Sequence, residues 1–274
     1  MQDTHLAHAP LGQDVVYPVT YDAGLLFPIE RARNRQQLNI PSVWHGADIW
    51  NAYELSWLDA RGKPVVAIGR FVFDHSSPRL IESKSFKLYL NSFNEERQQD
   101  EATVRGTLQR DLERACGGPV EVSLQRLGDG QALQCAPMDG ISIDGADIEI
   151  SAYEPTPGLL QCVADAPQVT ETLTSDLLKS NCPVTGQPDW GSVQVRYTGP
   201  RIDRDALLRY IVSLRRHTEF HEHCVEKMYC DIWQACQPES LFVYARYTRR
   251  GGLDINPWRS SAATTVVDAR TPRQ

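Results

Sequence analysis

The segment Ser180 to Gly191, SNCPVTGQPDWG, places a thiol, Cys182, seven residues before a carboxylate, Asp189. Pro183, Gly186 and Pro188 exclude regular structure between them. Free cysteine is normally a core residue of strands and helices, so a cysteine held in a loop invites a chemical reading. An unperturbed thiol has a pKa of about 8.5 and is mostly protonated near neutrality, so a working nucleophile wants a base or a positive neighbour. Asp189 can be that base if the two prolines and the glycine fold the loop back on itself. The alternative is a buried cysteine beside a turn aspartate.

A second concentration of functional groups is Phe220-His221-Glu222-His223-Cys224. Placed at a helix start, Glu222 would meet unpaired backbone N–H groups and the positive end of the helix dipole. A carboxylate there could also accept two parallel N–H bonds from the edge of a purine or pteridine. Equally, Glu222 could be an ordinary first-turn charge, with His221 on the buried stripe. His221, His223, Cys224 and Cys230 offer soft ligands, but no Cys-x-x-Cys or His-x-x-x-His pair occurs, so the metal expectation is none. Neither a Gly-x-Gly-x-x-Gly nor a P-loop is present, so any phosphate must be met by side chains and turns. Lys84 and Lys87, three residues apart, and the stretch RRGGLDINPWRS from Arg249 to Ser260 could serve; a solvated face and a turn would look the same.

Composition narrows the partners. The chain has 274 residues, seven scattered cysteines and a formal net charge of −7. An acidic chain without Lys/Arg clusters suits neither nucleic acid nor an anionic membrane. The odd cysteine count suggests thiols in a reducing compartment. With no apolar run of spanning length and no basic, apolar leader, the expected location is the cytoplasm.

These groups need a scaffold, and apolar periodicity supplies it. Residues 1–46, with Pro10, Pro18, Pro28 and Pro41, read as an irregular arm. Alternation from Ala47 and the buried run Pro64 to Phe73, turning at Asp59-Ala60-Arg61-Gly62, predict an antiparallel hairpin. Helices follow near Glu82–Phe93, with Ser83 as N-cap, and over Glu101–Cys116, ended by Gly117-Gly118; Pro119–Leu127 is a strand. A punctuated linker region, 136–170, comes next. The second half repeats the order: strands at Glu171–Lys179 and Ser192–Thr198, helices at Asp203–Arg216 and Glu219–Cys236, and a strand at Ser240–Thr248. Tyr89 and Ser92 precede Tyr210 and Ser213 by 121 positions. The expectation is a tandem α+β duplication, 47–135 and 171–274, each module an antiparallel sheet with two helices on one face.

ESKSFKLY at Glu82–Tyr89, CPVTGQPDW at Cys182–Trp190, FHE at Phe220–Glu222 and RRGGLDINP at Arg249–Pro257 together resemble, in type and order, the QueF-type nitrile reductases in their long, two-module form. The resemblance covers about residues 45 to 260. It implies tandem tunnelling-fold (T-fold) modules associating at least as a homodimer. It also implies NADPH-dependent reduction of the nitrile of 7-cyano-7-deazaguanine to an aminomethyl group, on the free base, in queuosine biosynthesis.

Carried over residue by residue, Cys182 would attack the nitrile, Asp189 would move the proton, and His221 would close the site and handle protons. Ile81, Glu82, Ser83, His221 and Glu222 would hold the deazapurine, and Ser83, Lys84, Arg250 and Gly251 would contact NADPH. The signature lies in the first half and the nucleophile in the second, so the expected site draws on both modules. Two rival readings stand beside it: a zinc-dependent hydrolase of the GTP cyclohydrolase kind using His221, His223 and Cys224, and a non-catalytic purine-binding module with an inert Cys182.

Overall fold

The computed structural model describes residues 17–41, 44–128 and 135–274; the first part of the arm, 1–16, lies outside them. In chain order the elements are β1 (Pro28–Glu30), α1 (Ala32–Arg35), β2 (His45–Leu58), β3 (Pro64–Asp74), β4 (Arg79–Ile81), α2 (Ser83–Asn91), α3 (Glu101–Cys116), β5 (Val120–Arg126), β6 (Ile141–Ser142), β7 (Val169–Asn181), β8 (Pro188–Gly199), α4 (Arg204–Ser213), α5 (His221–Cys236), β9 (Ser240–Tyr247) and β10 (Leu253–Ser260). They form two compact units. Of the described residues, the first comprises 17–33, 49–128 and 249–254; the second comprises 34–41, 44–48, 135–248 and 255–274.

In the first unit the strand order is β5-β3-β2, with β3 antiparallel to β5 from Ala67↔Arg126 to Phe73↔Val120. Alternate residues of β3 are buried, the period-2 pattern of a sheet with one packed face. Trp50, Phe71 and Phe73 form edge-to-face contacts with Phe86 of α2, at 5.0 to 6.3 Å between ring centroids. The arm is less irregular than its prolines suggest, because β1 pairs with β4. Helix α3 has the bounds its sequence predicts. Asp100 accepts the Thr103 N–H at 2.8 Å, and Gly117 ends the helix at φ 76°, a left-handed conformation that costs glycine little.

The second unit orders its strands β10-β9-β8-β7-β6. Register puts Leu173, Val195 and Val243 side by side, then Val193 and Ala245, then Tyr197 and Leu241. All are buried on one face, and Leu207, Ile211, Val225, Met228 and Ile232 of α4 and α5 complete that core. The opposite face carries Arg196, Phe242, Tyr244 and Arg246. The helix expected over 203–216 stops at Ser213 and tightens into a 3₁₀ turn, Leu214–Arg216.

The duplication is visible in side-chain bonds. In the first unit Tyr89 Oη donates to Asp111 at 2.8 Å and Ser92 Oγ to the Tyr89 carbonyl at 2.6 Å. In the second, Tyr210 donates to Asp231 at 2.6 Å and Ser213 to the Tyr210 carbonyl at 2.7 Å. The chain is therefore α+β, built twice from a mainly antiparallel sheet and two helices, with the two-residue β6 added parallel to β7.

Besides the short β1, β4 and β6, one long strand escapes the sequence reading. β10 occupies Leu253–Ser260, where a phosphate-binding tail was expected. Pro257 and four buried polar residues, Asp254, Asn256, Arg259 and Ser260, disguise it. Each of the first three finds a distant partner: Asp254 accepts Asn51 Nδ2 at 2.9 Å, Gln274 Nε2 donates to Asn256 at 2.8 Å, and Arg259 bridges Asp48 and Glu226 at 2.9 and 2.7 Å.

Candidate active site

The Cys182 loop joins β7 to β8 as a hairpin connection. Asn181 pairs with Pro188 and Ser180 with Asp189, and the Cys182 N–H donates to the Gln187 carbonyl at 2.9 Å while its own carbonyl accepts Gly186 N–H at 3.0 Å. Gly186 takes φ 68°, which lets the loop turn back without strain. Ser180 and Asp189 are cross-strand partners and so share a face of the sheet, and Cys182 follows two residues after Ser180, just past the end of β7. Cys182 and Asp189 are buried, at 3% and 6% exposure, so the thiol and the carboxylate are held away from bulk water.

The start of α5 meets this face. Phe220 is the N-cap and supplies no capping side chain. His221 Nε2 lies 3.7 Å from Asp189 Oδ1, close enough for an ion pair when the imidazole is protonated. Its ring is edge-on to Tyr247 at 4.1 Å between centroids. Glu222 follows, buried in the first turn. Ser180 and Tyr247, neither of them singled out by the sequence, therefore complete the second unit's constellation. Ser180 could have been found from its period-2 offset to Cys182; Tyr247 carries no local signal.

Cys224 lies beside Ser180 and Tyr247, whereas His223 turns to Asn34 and Glu219. Burial pushes the Cys224 thiol up to about 11, with Tyr247 and Ser180 as hydrogen-bonding neighbours that lower it less. His223 Nδ1 sits 2.7 Å from Asn34 Nδ2 and 3.5 Å from Glu219. Among the described residues no group of three or more His, Cys, Asp or Glu side chains is arranged to hold a metal.

The first unit carries the remaining expected site residues. Ile81 ends β4 and is buried. Glu82, and not Ser83, is the N-cap of α2: its two oxygens accept Lys84 N–H at 2.9 Å and Ser85 N–H at 2.7 Å. Ser83 is the first helical residue. Burial raises the Glu82 pKa, partly offset by those backbone bonds and by the charges of Lys84 and Arg250. Two lone pairs remain on the carboxylate for a ligand.

Arg250, Gly251 and Gly252 form a tight turn closed by Arg250 N–H to Leu253 O at 2.8 Å, with φ 62° and 80° at the glycines. Lys87 Nζ lies 3.4 Å from Glu54, and a Cβ on Gly251 would meet that same Nζ at 3.4 Å. Cationic side chains and a bare backbone turn thus converge near the α2 N-terminus, a donor set that fits a phosphate-bearing cofactor.

Residues 17–124 match the family model described as nitrile reductase, 7-cyano-7-deazaguanine-reductase N-term, and residues 188–265 match that of QueF-like proteins. The NADPH-dependent 7-cyano-7-deazaguanine reductase of Bordetella pertussis (strain Tohama I) is 60% identical over 98% of this chain and 99% of its own length. This chain belongs to that reductase family. Reductases of the same name from Bordetella avium and Burkholderia vietnamiensis are each 56% identical, over 98% and 97% of this chain and 99% and 98% of their own. The expected site residues fall into two sets: Ile81, Glu82, Ser83, Lys84, Arg250 and Gly251 in the first unit, and Cys182, Asp189, His221 and Glu222 in the second. No helix of the described residues is long and apolar enough to cross a membrane.

Proposed function

We propose that the chain reduces the nitrile of 7-cyano-7-deazaguanine to 7-aminomethyl-7-deazaguanine through a covalent thioimidate on Cys182. The observation that carries this reading is one hairpin that buries both Cys182 and Asp189, with His221 Nε2 3.7 Å from that carboxylate. Membership of an NADPH-dependent reductase family supports the overall reaction.

Cys182 Sγ attacks the nitrile carbon, its proton passing through Asp189 to the nitrile nitrogen, so that an inert triple bond becomes an electrophilic C=N. NADPH, when bound, would supply two hydrides in succession to this one carbon, first as the thioimidate and then as the imine. After the first reduction the sulfur–carbon bond breaks, Cys182 leaves as thiolate and is reprotonated, and an imine remains. Burial of Cys182 and Asp189 keeps that imine from hydrolysis. The second hydride and a proton, handled by His221, complete the amine; two hydrides and two protons are consumed in all.

Glu222 and Glu82 accept N–H bonds from the heterocycle, with Ile81 and Ser83 beside it. Ser83, Lys84, Arg250 and Gly251 hold the cofactor's phosphates and ribose. We assign the reaction to queuosine biosynthesis in the cytoplasm, on the free base, without nucleic acid or membrane as partner, by a homodimer of tandem T-fold modules.

The stoichiometry tests the cycle. Two NADPH consumed per aminomethyl product agree with it, and binding without turnover would instead indicate a non-catalytic purine-binding module.

A further inference from the structure

Gln274 lies against the strand face that α4 and α5 do not cover, and its side-chain amide uses its full bonding capacity. Oε1 accepts Arg246 Nε at 2.7 Å and the Thr271 N–H at 2.9 Å. Nε2 donates to the Tyr247 carbonyl at 2.9 Å and to Asn256 Oδ1 at 2.8 Å. Two donors and two acceptor sites are all that a primary amide has. Arg246, Tyr247, Asn256 and Thr271 are buried and Gln274 is half-buried, so loss of its amide strands buried partners.

The place matters more than the count. Tyr247 is the last residue of β9, and on its β8 side the next N–H, Thr248, donates to the carbonyl of Trp190, the neighbour of Asp189, at 2.8 Å. On the other side its carbonyl is taken by Gln274. The peptide after Tyr247 is thereby held from both directions, and the ring it carries lies against His221 at 4.1 Å.

We propose that Gln274 is a positioning residue for the reaction: by clamping the Tyr247 backbone it fixes the ring that orients His221 toward Asp189. The proposal rests on the reading that His221 and Asp189 serve Cys182. Gln274 touches none of these three and acts through Tyr247.

The test uses the full chain, with Gln274→Ala, Gln274→Met, Tyr247→Ala and the double variant Gln274→Ala/Tyr247→Ala. Gln274→Met preserves length and apolar packing while removing all four bonds. In steady-state NADPH oxidation with 7-cyano-7-deazaguanine, kcat falls roughly ten- to a hundredfold in both Gln274 variants, while both KM values stay within about threefold. The double variant is no slower than Tyr247→Ala by more than about twofold, since both changes cut one connection. Circular dichroism and Tm report folding of each variant. A kcat within about twofold of wild type in Gln274→Met, losses that multiply in the double variant, or activity lost only in step with the folded fraction would each overturn the proposal. Failure of the Cys182 mechanism has a separate signature, absence of a substrate adduct in the wild type.

Discussion

Ser180 and Asp189 stand directly opposite one another across the β7–β8 hairpin, two residues before Cys182 on one strand and one residue after Pro188 on the other. This pairing fixes the Asp189 carboxylate on the hairpin that carries the thiol. Asp189→Asn preserves the shape and removes the base. The expected result is a fall in kcat of roughly a hundredfold or more with little change in substrate KM, measured by NADPH oxidation. An unchanged kcat would move the proton role elsewhere.

Glu82 spends its charge on the first turn of α2. Glu82→Ala should therefore destabilise the protein by about 0.5 to 2 kcal/mol in urea unfolding, through the lost cap. If Glu82 also holds the deazapurine, the same variant raises substrate KM by roughly tenfold or more at a temperature where it remains folded. Loss of stability with an unchanged KM would leave it a cap alone.

The two glycines of the 249–252 turn differ in room. A Cβ on Gly252 would come within 2.5 Å of the Glu54 carboxylate carbon, at φ 80°, whereas one on Gly251 meets nothing closer than 3.4 Å, at φ 62°. Both alanine variants pay the left-handed backbone penalty of about 1–2 kcal/mol, and Gly252→Ala must also displace Glu54. NADPH KM should rise in both and more in Gly252→Ala, whose turn has to shift. Equal, wild-type values would remove this turn from the cofactor site.

His217 lies next to the nucleophile hairpin, its carbonyl accepting the Asn181 N–H at 2.8 Å. Burial pushes its pKa down from 6.5 to about 4, with Glu219 opposing weakly. The folded value lies below the unfolded one, so the unfolded chain takes up the proton first. The stability contribution is complete above about pH 6.5 and is lost as pH falls toward 4, by roughly 2–3 kcal/mol. Urea unfolding between pH 7 and pH 4.5 should show this decline, and His217→Gln should flatten it.

Periodicity exposed most of the fold, and motif chemistry named the candidate site residues. Helix α3 was legible to the residue because Glu101 begins, and Cys116 ends, an apolar stripe punctuated by Asp100 and Gly117. β10 was not, because its buried Asp254, Asn256 and Arg259 become tolerable only through Asn51, Gln274, Asp48 and Glu226, which no local pattern connects. Ser83 has the residue type of an N-cap, yet the longer carboxylate of Glu82 reaches two N–H groups and takes the role. Cys182 and Asp189 could be read as a pair within one segment. The approach of His221 to Asp189, and of Tyr247 to His221, depends on strands and a helix separated by dozens of residues, and only the fold brings them together.

The central claim, that Cys182 forms a covalent bond to the substrate nitrile, is tested most directly by intact-mass measurement after mixing the protein with 7-cyano-7-deazaguanine in the absence of NADPH. A mass increase equal to one whole substrate, located on the peptide containing Cys182 and absent in Cys182→Ala, is the predicted result. An unmodified wild-type mass, or an adduct that persists in Cys182→Ala, would contradict it.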